Sequence, residues 1–144
     1  MELRKQKLKN HLDDYAINLE KVIQAKFYRE DYKSVTWSDL ISLRFGVWIS
    51  ISEGVDVFLT WMDKEKSKFK ILCKMAAGAV LGIHDHPDYF EFFKVLVGRM
   101  VCLYNPEIDL HAGDSYTFDM NEIHHPMAPV KTVIEIICSQ TRIA

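Results

Sequence analysis

From about Ile41 onward the chain is a succession of short runs rich in Val, Ile, Phe, Tyr and Trp, each closed by turn-forming residues. No other feature restricts the fold as much, because β-branched and aromatic runs of this length suit pleated, half-buried strands and do not sustain a helical period. The runs fall at about 43–51, 55–62, 69–75, 80–84, 90–97, 100–104, 115–119 and 132–139. Between them stand Glu53-Gly54, 63–67, Ala77-Gly78, Pro87-Asp88, Gly98-Arg99, Asn105-Pro106, Ala112-Gly113-Asp114 and Asn121-Glu122. Many short strands at near-regular spacing predict an all-β sandwich or a small closed barrel.

The first thirty or so residues read differently. Leu8, Leu12, Tyr15, Leu19 and Val22 recur at spacings of four and three among mostly charged neighbours, which predicts an amphipathic helix. Its apolar seam can lie against the chain's own barrel or pair with a second copy as a dimer arm. A polar and aromatic linker over 28–38 follows. The expected division is therefore an N-terminal helix and linker over 1–33 and a β-barrel over 34–144.

With 144 residues and 49% hydrophobic composition, the chain is long enough to bury a core without disulfides, and one domain is expected. Eighteen basic against twenty acidic residues, with no basic stripe, argue against nucleic acid as a partner, since such binding neutralises several phosphates at once. No apolar stretch of about 18 residues occurs and the N-terminus lacks an apolar leader run, so no membrane partner and a cytoplasmic location are expected. Cys73, Cys102 and Cys138 are odd in number, widely spaced and embedded in apolar runs, which predicts buried reduced thiols.

Chemistry concentrates in the histidines. Of six, four form two tight groups, His84 with His86 and His124 with His125. Residues two apart on an extended segment share a face, so His84 and His86 can turn both imidazoles to one point while Asp85 faces away. Two neutral imidazoles so placed suit a transition metal, to which a carboxylate and a third imidazole can be added from neighbouring strands. The pair alone is weak evidence. His125 points away from His124 on this reading, as a surface or supporting residue. His11 and His111 call for no functional role, and Asp85 and Asp88 read as turn residues.

The frame around the pair is more specific: Gly78, five residues, His84-x-His86, four residues, Glu91, six residues, Gly98. It resembles the first signature of the cupin superfamily, G-x5-H-x-H-x3-4-E-x6-G, at every fixed position. A second stretch, Gly113 to Ala128, is similar to the second signature, G-x5-P-x-G-x2-H-x3-N, with departures. Asp119 stands for the proline, Asn121 for the inner glycine and Ala128 for the final asparagine, while His124 keeps the ligand spacing. Asparagine is a mild replacement because it enters left-handed backbone conformations more readily than other non-glycine residues. The resemblance covers the last half of the chain strongly, the runs from 43 to 75 loosely, and the N-terminal helix not at all.

This resemblance implies a cupin-type double-stranded β-helix, or jelly-roll barrel, with an α-helical extension, and one divalent metal ion held by His84, His86, Glu91 and His124. The donor set suits Fe(II), Mn(II), Ni(II), Cu(II) or Zn(II). It also implies a small-molecule ligand or substrate in the barrel. By parity with Glu91, the inward wall would include Phe93, Val95 and Val97, with Trp48 or Trp61 as aromatic candidates. An apolar lining favours a small, weakly charged ligand over a sugar phosphate, for which Lys94 and Arg99 are the nearest cations and Lys94 faces outward. The outward face with Phe90, Phe92 and Leu96 needs cover from the N-terminal helix or a second subunit, so a homodimer is expected. Two functional classes follow: a metal-dependent oxygenase or isomerase, or a non-catalytic module that senses or binds a small ligand or metal. Outside the ligand set, Tyr89, Tyr116 and His125 are the acid–base candidates.

Overall fold

The computed structural model describes residues 2–28 and 34–142. Among the described residues, nine strands form two antiparallel sheets, preceded by three short helices, in a jelly-roll-like arrangement. The strands are β1 (Trp48–Ser52), β2 (Val55–Asp63), β3 (Lys68–Met75), β4 (Phe90–Val97), β5 (Arg99–Cys102), β6 (Asp109–His111), β7 (Ser115–Phe118), β8 (Pro126–Met127) and β9 (Thr132–Ser139). The larger sheet runs β1-β2-β3-β9-β4-β7 and the smaller β6-β5-β8.

The strong strands fall where the apolar runs predict them, and β4 and β9 agree to the residue. Alternation puts one face of the larger sheet into the core. Leu59, Ile71, Ile136 and Phe93 form a cross-strand row, and Val57, Cys73, Ile134 and Val95 form the next. All eight are buried. A third row brings Phe69, Cys138, Glu91 and Phe118 together, so strand register alone carries a carboxylate into the apolar interior.

Several expectations need correction. The run expected at 43–51 begins as a turn and becomes a strand only at Trp48, because Thr36 and Asp39 cap an unforeseen helix, α3 (Trp37–Ile41). The run at 80–84 is no regular strand. It makes bridges at Val80 and His84 and ladders backbone bonds with 124–128, including reciprocal His84 and His124 N–H···O bonds of 3.1 and 2.9 Å. Val97 does not face inward. The β4–β9 register shifts between Val95 and Val97, and Val97 ends 56% exposed. Asn121 does take the left-handed conformation, with φ 64°, that the glycine of the second signature would supply.

The single N-terminal helix is in fact two. α1 (Glu2–Leu12) ends before Asp13-Asp14, and α2 (Leu19–Ile23) restarts under Asn18, whose side chain accepts from the Lys21 N–H. Leu8, Leu12 and Val22 pack with Val80, Val101, Leu103 and Met127 in a small core of their own against the three-stranded sheet. The seam is thus spent within the chain, and it does not cover Phe90, Phe92 and Leu96, of which Leu96 is 42% exposed. The linker expected over 28–38 lies partly in 29–33, outside the described residues; 34–36 are extended and Trp37 opens α3. Cys73, Cys102 and Cys138 are buried free thiols.

Candidate metal centre

Four buried side chains meet inside the barrel. His84 and His86 come from the laddered segment after β3, Glu91 from β4, and His124 from the approach to β8. One nitrogen or oxygen from each lies within 4.8 Å of the others, the one such group among the described residues. Glu91 Oε1 stands 2.7 Å from His86 Nε2 and 3.1 Å from His124 Nε2, and the His84 and His124 rings are 4.0 Å apart.

The other ring nitrogens fix what these atoms are. Nδ1 of His84 lies 2.6 Å from the Gly82 carbonyl, that of His86 2.9 Å from the Val35 carbonyl, and that of His124 3.0 Å from the Glu122 carbonyl. A carbonyl oxygen only accepts, so each Nδ1 must carry the proton and donate. In neutral rings every Nε2 is then a lone pair turned toward the carboxylate. The His86 Nε2 to Glu91 contact is short yet lacks hydrogen-bond alignment, and that nitrogen is left without a partner. Lone pairs converging in this way require a proton or a cation among them. Carbonyl-anchored imidazoles are also how metal-binding histidines are oriented. The residues therefore fit a divalent ion, and the cluster is consistent with a single divalent-metal site.

Electrostatics agree. Burial pushes His84 well below the usual imidazole range, helped by the neighbouring His124 and His86 and opposed by Glu91 and the Gly82 carbonyl. Burial alone would raise Glu91, but His86 and His124 set against the carboxylate outweigh it and hold the carboxyl well below its ordinary value. Lowered values at His84 and Glu91 both favour the deprotonated forms that a metal needs.

Aromatic rings pack the site. Phe118 stacks on His124 with centroids 4.3 Å apart, Tyr89 lies 4.3 Å from His86, and the edge of Phe27 meets His84 at 4.9 Å. Beside the cluster is a cavity of about 60 Å³. Its wall draws on Phe27, Val35, Leu40 and Leu43 as well as Phe93, so residues ahead of the first strand help to close it. Sequence reasoning missed these four. The Thr36–Asp39 capping box was their one legible signal, since it fixes Leu40 on α3.

Other expected residues fall elsewhere. Trp61 stacks on Phe45 and meets the edge of Phe69, and Trp48 lies 44% exposed under the Lys74 ammonium; neither lines the cavity. Arg99 holds Asp109 through two 2.8 Å bonds near α1, and Lys94 is exposed. Asp85 accepts from the Ser34 hydroxyl and Asp88 from the Trp37 N–H, so both turn residues tie the segment before α3 to the site. Tyr116 donates to Glu122 at 2.5 Å. His125 lies outside the cluster, but it is buried rather than at the surface, and burial with His124 nearby pulls it down to about 4.

Comparison with known proteins agrees with this architecture. A family model for the cupin domain matches residues 71–139, which hold His84, His86, Glu91 and His124. Among solved structures, KdgF from a Halomonas species superposes with a TM-score of 0.58 at 17% identity, over 67% of this chain and 87% of that one. An RmlC-like cupin from Shewanella frigidimarina gives 0.57 at 19% identity, over 69% and 91%. An acetylacetone dioxygenase from Acinetobacter johnsonii gives 0.55 at 15% identity, over 67% and 70%. No curated protein sequence matches the chain. The chain is a cupin-fold protein, and its buried three-histidine, one-glutamate cluster is consistent with a metal-binding monocupin.

Proposed function

We propose that the chain is a metal-dependent enzyme of the oxygenase or isomerase type, acting on a small organic molecule in the barrel, with His84, His86, Glu91 and His124 as the metal ligands. The observation that carries this reading is the anchoring of three Nδ1–H groups on backbone carbonyls, which leaves three Nε2 atoms and a carboxylate facing one another beside an apolar cavity. A bound divalent ion would supply Lewis-acid or redox chemistry to a ligand oxygen there. The chain's own contribution is to fix the donors, exclude water with Phe27, Phe93 and Phe118, and hold Glu91 ionised. Likeness in fold to an acetylacetone dioxygenase is in keeping with oxygenation, although one fold hosts many chemistries.

The small size of the cavity supports a second reading, a non-catalytic module that binds a small ligand or metal. On that reading the N-terminal helices report occupancy, since Phe27 follows α2 and touches His84. The exposed Leu96 and Val97 beside half-buried Phe92 support a homodimer, and three free buried thiols suit a reducing, cytoplasmic setting.

Elemental analysis of untagged protein, beside a His84→Ala, His124→Ala double variant, tests the metal reading. About one equivalent of a transition metal in the parent and none in the variant is expected. Oxygen consumption or substrate turnover by the loaded protein then separates enzyme from module. No metal in the parent after anaerobic reconstitution with Fe(II), Mn(II), Ni(II) and Zn(II) overturns the metalloenzyme reading.

A further inference from the structure

Three polar side-chain atoms are buried without a hydrogen-bond partner among the described residues: His86 Nε2, His125 Nε2 and the Tyr89 hydroxyl. His86 belongs to the metal cluster, and His125 does not line the cavity. Tyr89 does line it. Its side chain is fully buried, wedged between His86 at 4.3 Å and the edge of Trp37 at 5.5 Å, so the ring is held by packing while its hydroxyl stays unpaired. Native structures rarely bury a hydroxyl so, and such a group is accounted for by a bound water or ion, by strain, or by a functional role.

We infer that the Tyr89 hydroxyl is the hydrogen-bond donor that selects the ligand, and that the ligand is a small, uncharged, mostly apolar molecule with one acceptor oxygen, of the ketone class. This rests on the cavity beside the metal cluster being the ligand site. The rest of the wall decides the class. Beyond the cluster it is aliphatic and aromatic apart from the Cys73 thiol, with no lysine or arginine among the described residues. Such a wall desolvates a charged group without offering it a side-chain partner, which favours a mostly apolar ligand. A pure hydrocarbon would leave the phenol unpaired, the circumstance in which a polar site rejects an isostere most sharply. A cavity of about 60 Å³ admits only a small molecule.

The test compares acetone with its hydrocarbon isostere 2-methylpropene by ligand-observed NMR, on metal-free and zinc-loaded parent and Tyr89→Phe protein. The parent should bind carbonyl-labelled acetone saturably, with the bound carbonyl resonance shifted downfield. Tyr89→Phe should weaken acetone by about threefold to tenfold and strengthen 2-methylpropene relative to it. Because the variant removes an unpaired buried hydroxyl and keeps the ring, its Tm should rise by about a few degrees. A parent that binds no acetone, a variant that binds it equally well, or a variant with a lowered Tm would overturn the assignment. Failure of both proteins to take up zinc would count against the metal reading alone, because the metal-free comparison still decides the role of Tyr89.

Discussion

The barrel interior and the satellite core under the helices are both apolar, yet they treat charge in opposite ways. The interior buries Glu91 and three imidazoles among Phe69, Phe93, Phe118 and Tyr89, where each polar atom must be matched. The satellite of Leu8, Leu12, Val22, Val80, Val101, Leu103 and Met127 keeps its charges at the rim, where Arg99 clasps Asp109 and His11 lies 3.5 Å from the same carboxylate. One region organises a site; the other fastens the N-terminal arm. The arm still reaches the site, because the segment after α2 crosses Gly82 so closely that a Cβ there would stand 2.6 Å from the Phe27 nitrogen.

The most severe way to break the contrast is a cavity in the interior. Phe69→Ala should cost about 3–5 kcal/mol of unfolding free energy, read by denaturant titration, because the ring is fully buried against Trp37, Phe45 and Trp61. Leu8→Ala in the satellite should cost less, about 2–3 kcal/mol, and should speed hydrogen exchange in α1 while leaving metal stoichiometry at the parent value. Loss of metal in Leu8→Ala would mean the two regions are not separable. Gly82→Ala should cost about 1–3 kcal/mol by forcing the 26–27 backbone away. Faster exchange at Lys26 and Phe27 than at α1 would locate that effect.

Acid gives the smallest expected effect and the finest distinction. At Asp109 burial works to raise the pKa, but Arg99, with help from His11 and His111, lowers it overall. A depressed carboxylate contributes stability that is complete above its unfolded value, about 3.9, and is lost as pH falls below that. The clasp is partly solvated, so less than about 1 kcal/mol is expected. Exchange at α1 should therefore accelerate below about pH 4, and Asp109→Asn should remove that dependence.

How much of this was legible depends on how local the signal is. Strands β4 and β9 were, because two-residue alternation over eight positions is encoded within each segment. The cluster was, through its resemblance to the two cupin signatures, from Gly78 to Gly98 and at His124, since alternation by itself pairs only His84 with His86. Asn121 carried its left-handed turn in its residue type. Val97 was not legible, since its exposure comes from a register shift against β9 and not from its own sequence. β6 and β8 span three and two residues and hold together only by pairing with β5. The division between α1 and α2 left a trace in Asp13-Asp14 and the Asn18 cap, but the continuous apolar spacing masked it. The wall from Phe27 to Leu43 depends on tertiary placement alone.

X-ray absorption at the edge of the metal taken up by the protein tests the central claim most directly. The account predicts scattering from about three imidazole rings and light oxygen donors, with the imidazole signal reduced in His124→Ala. Sulfur scattering would contradict it by placing the metal instead on Cys138, whose thiol lies 3.6 Å from the second Glu91 oxygen, or on Cys73 in the cavity wall.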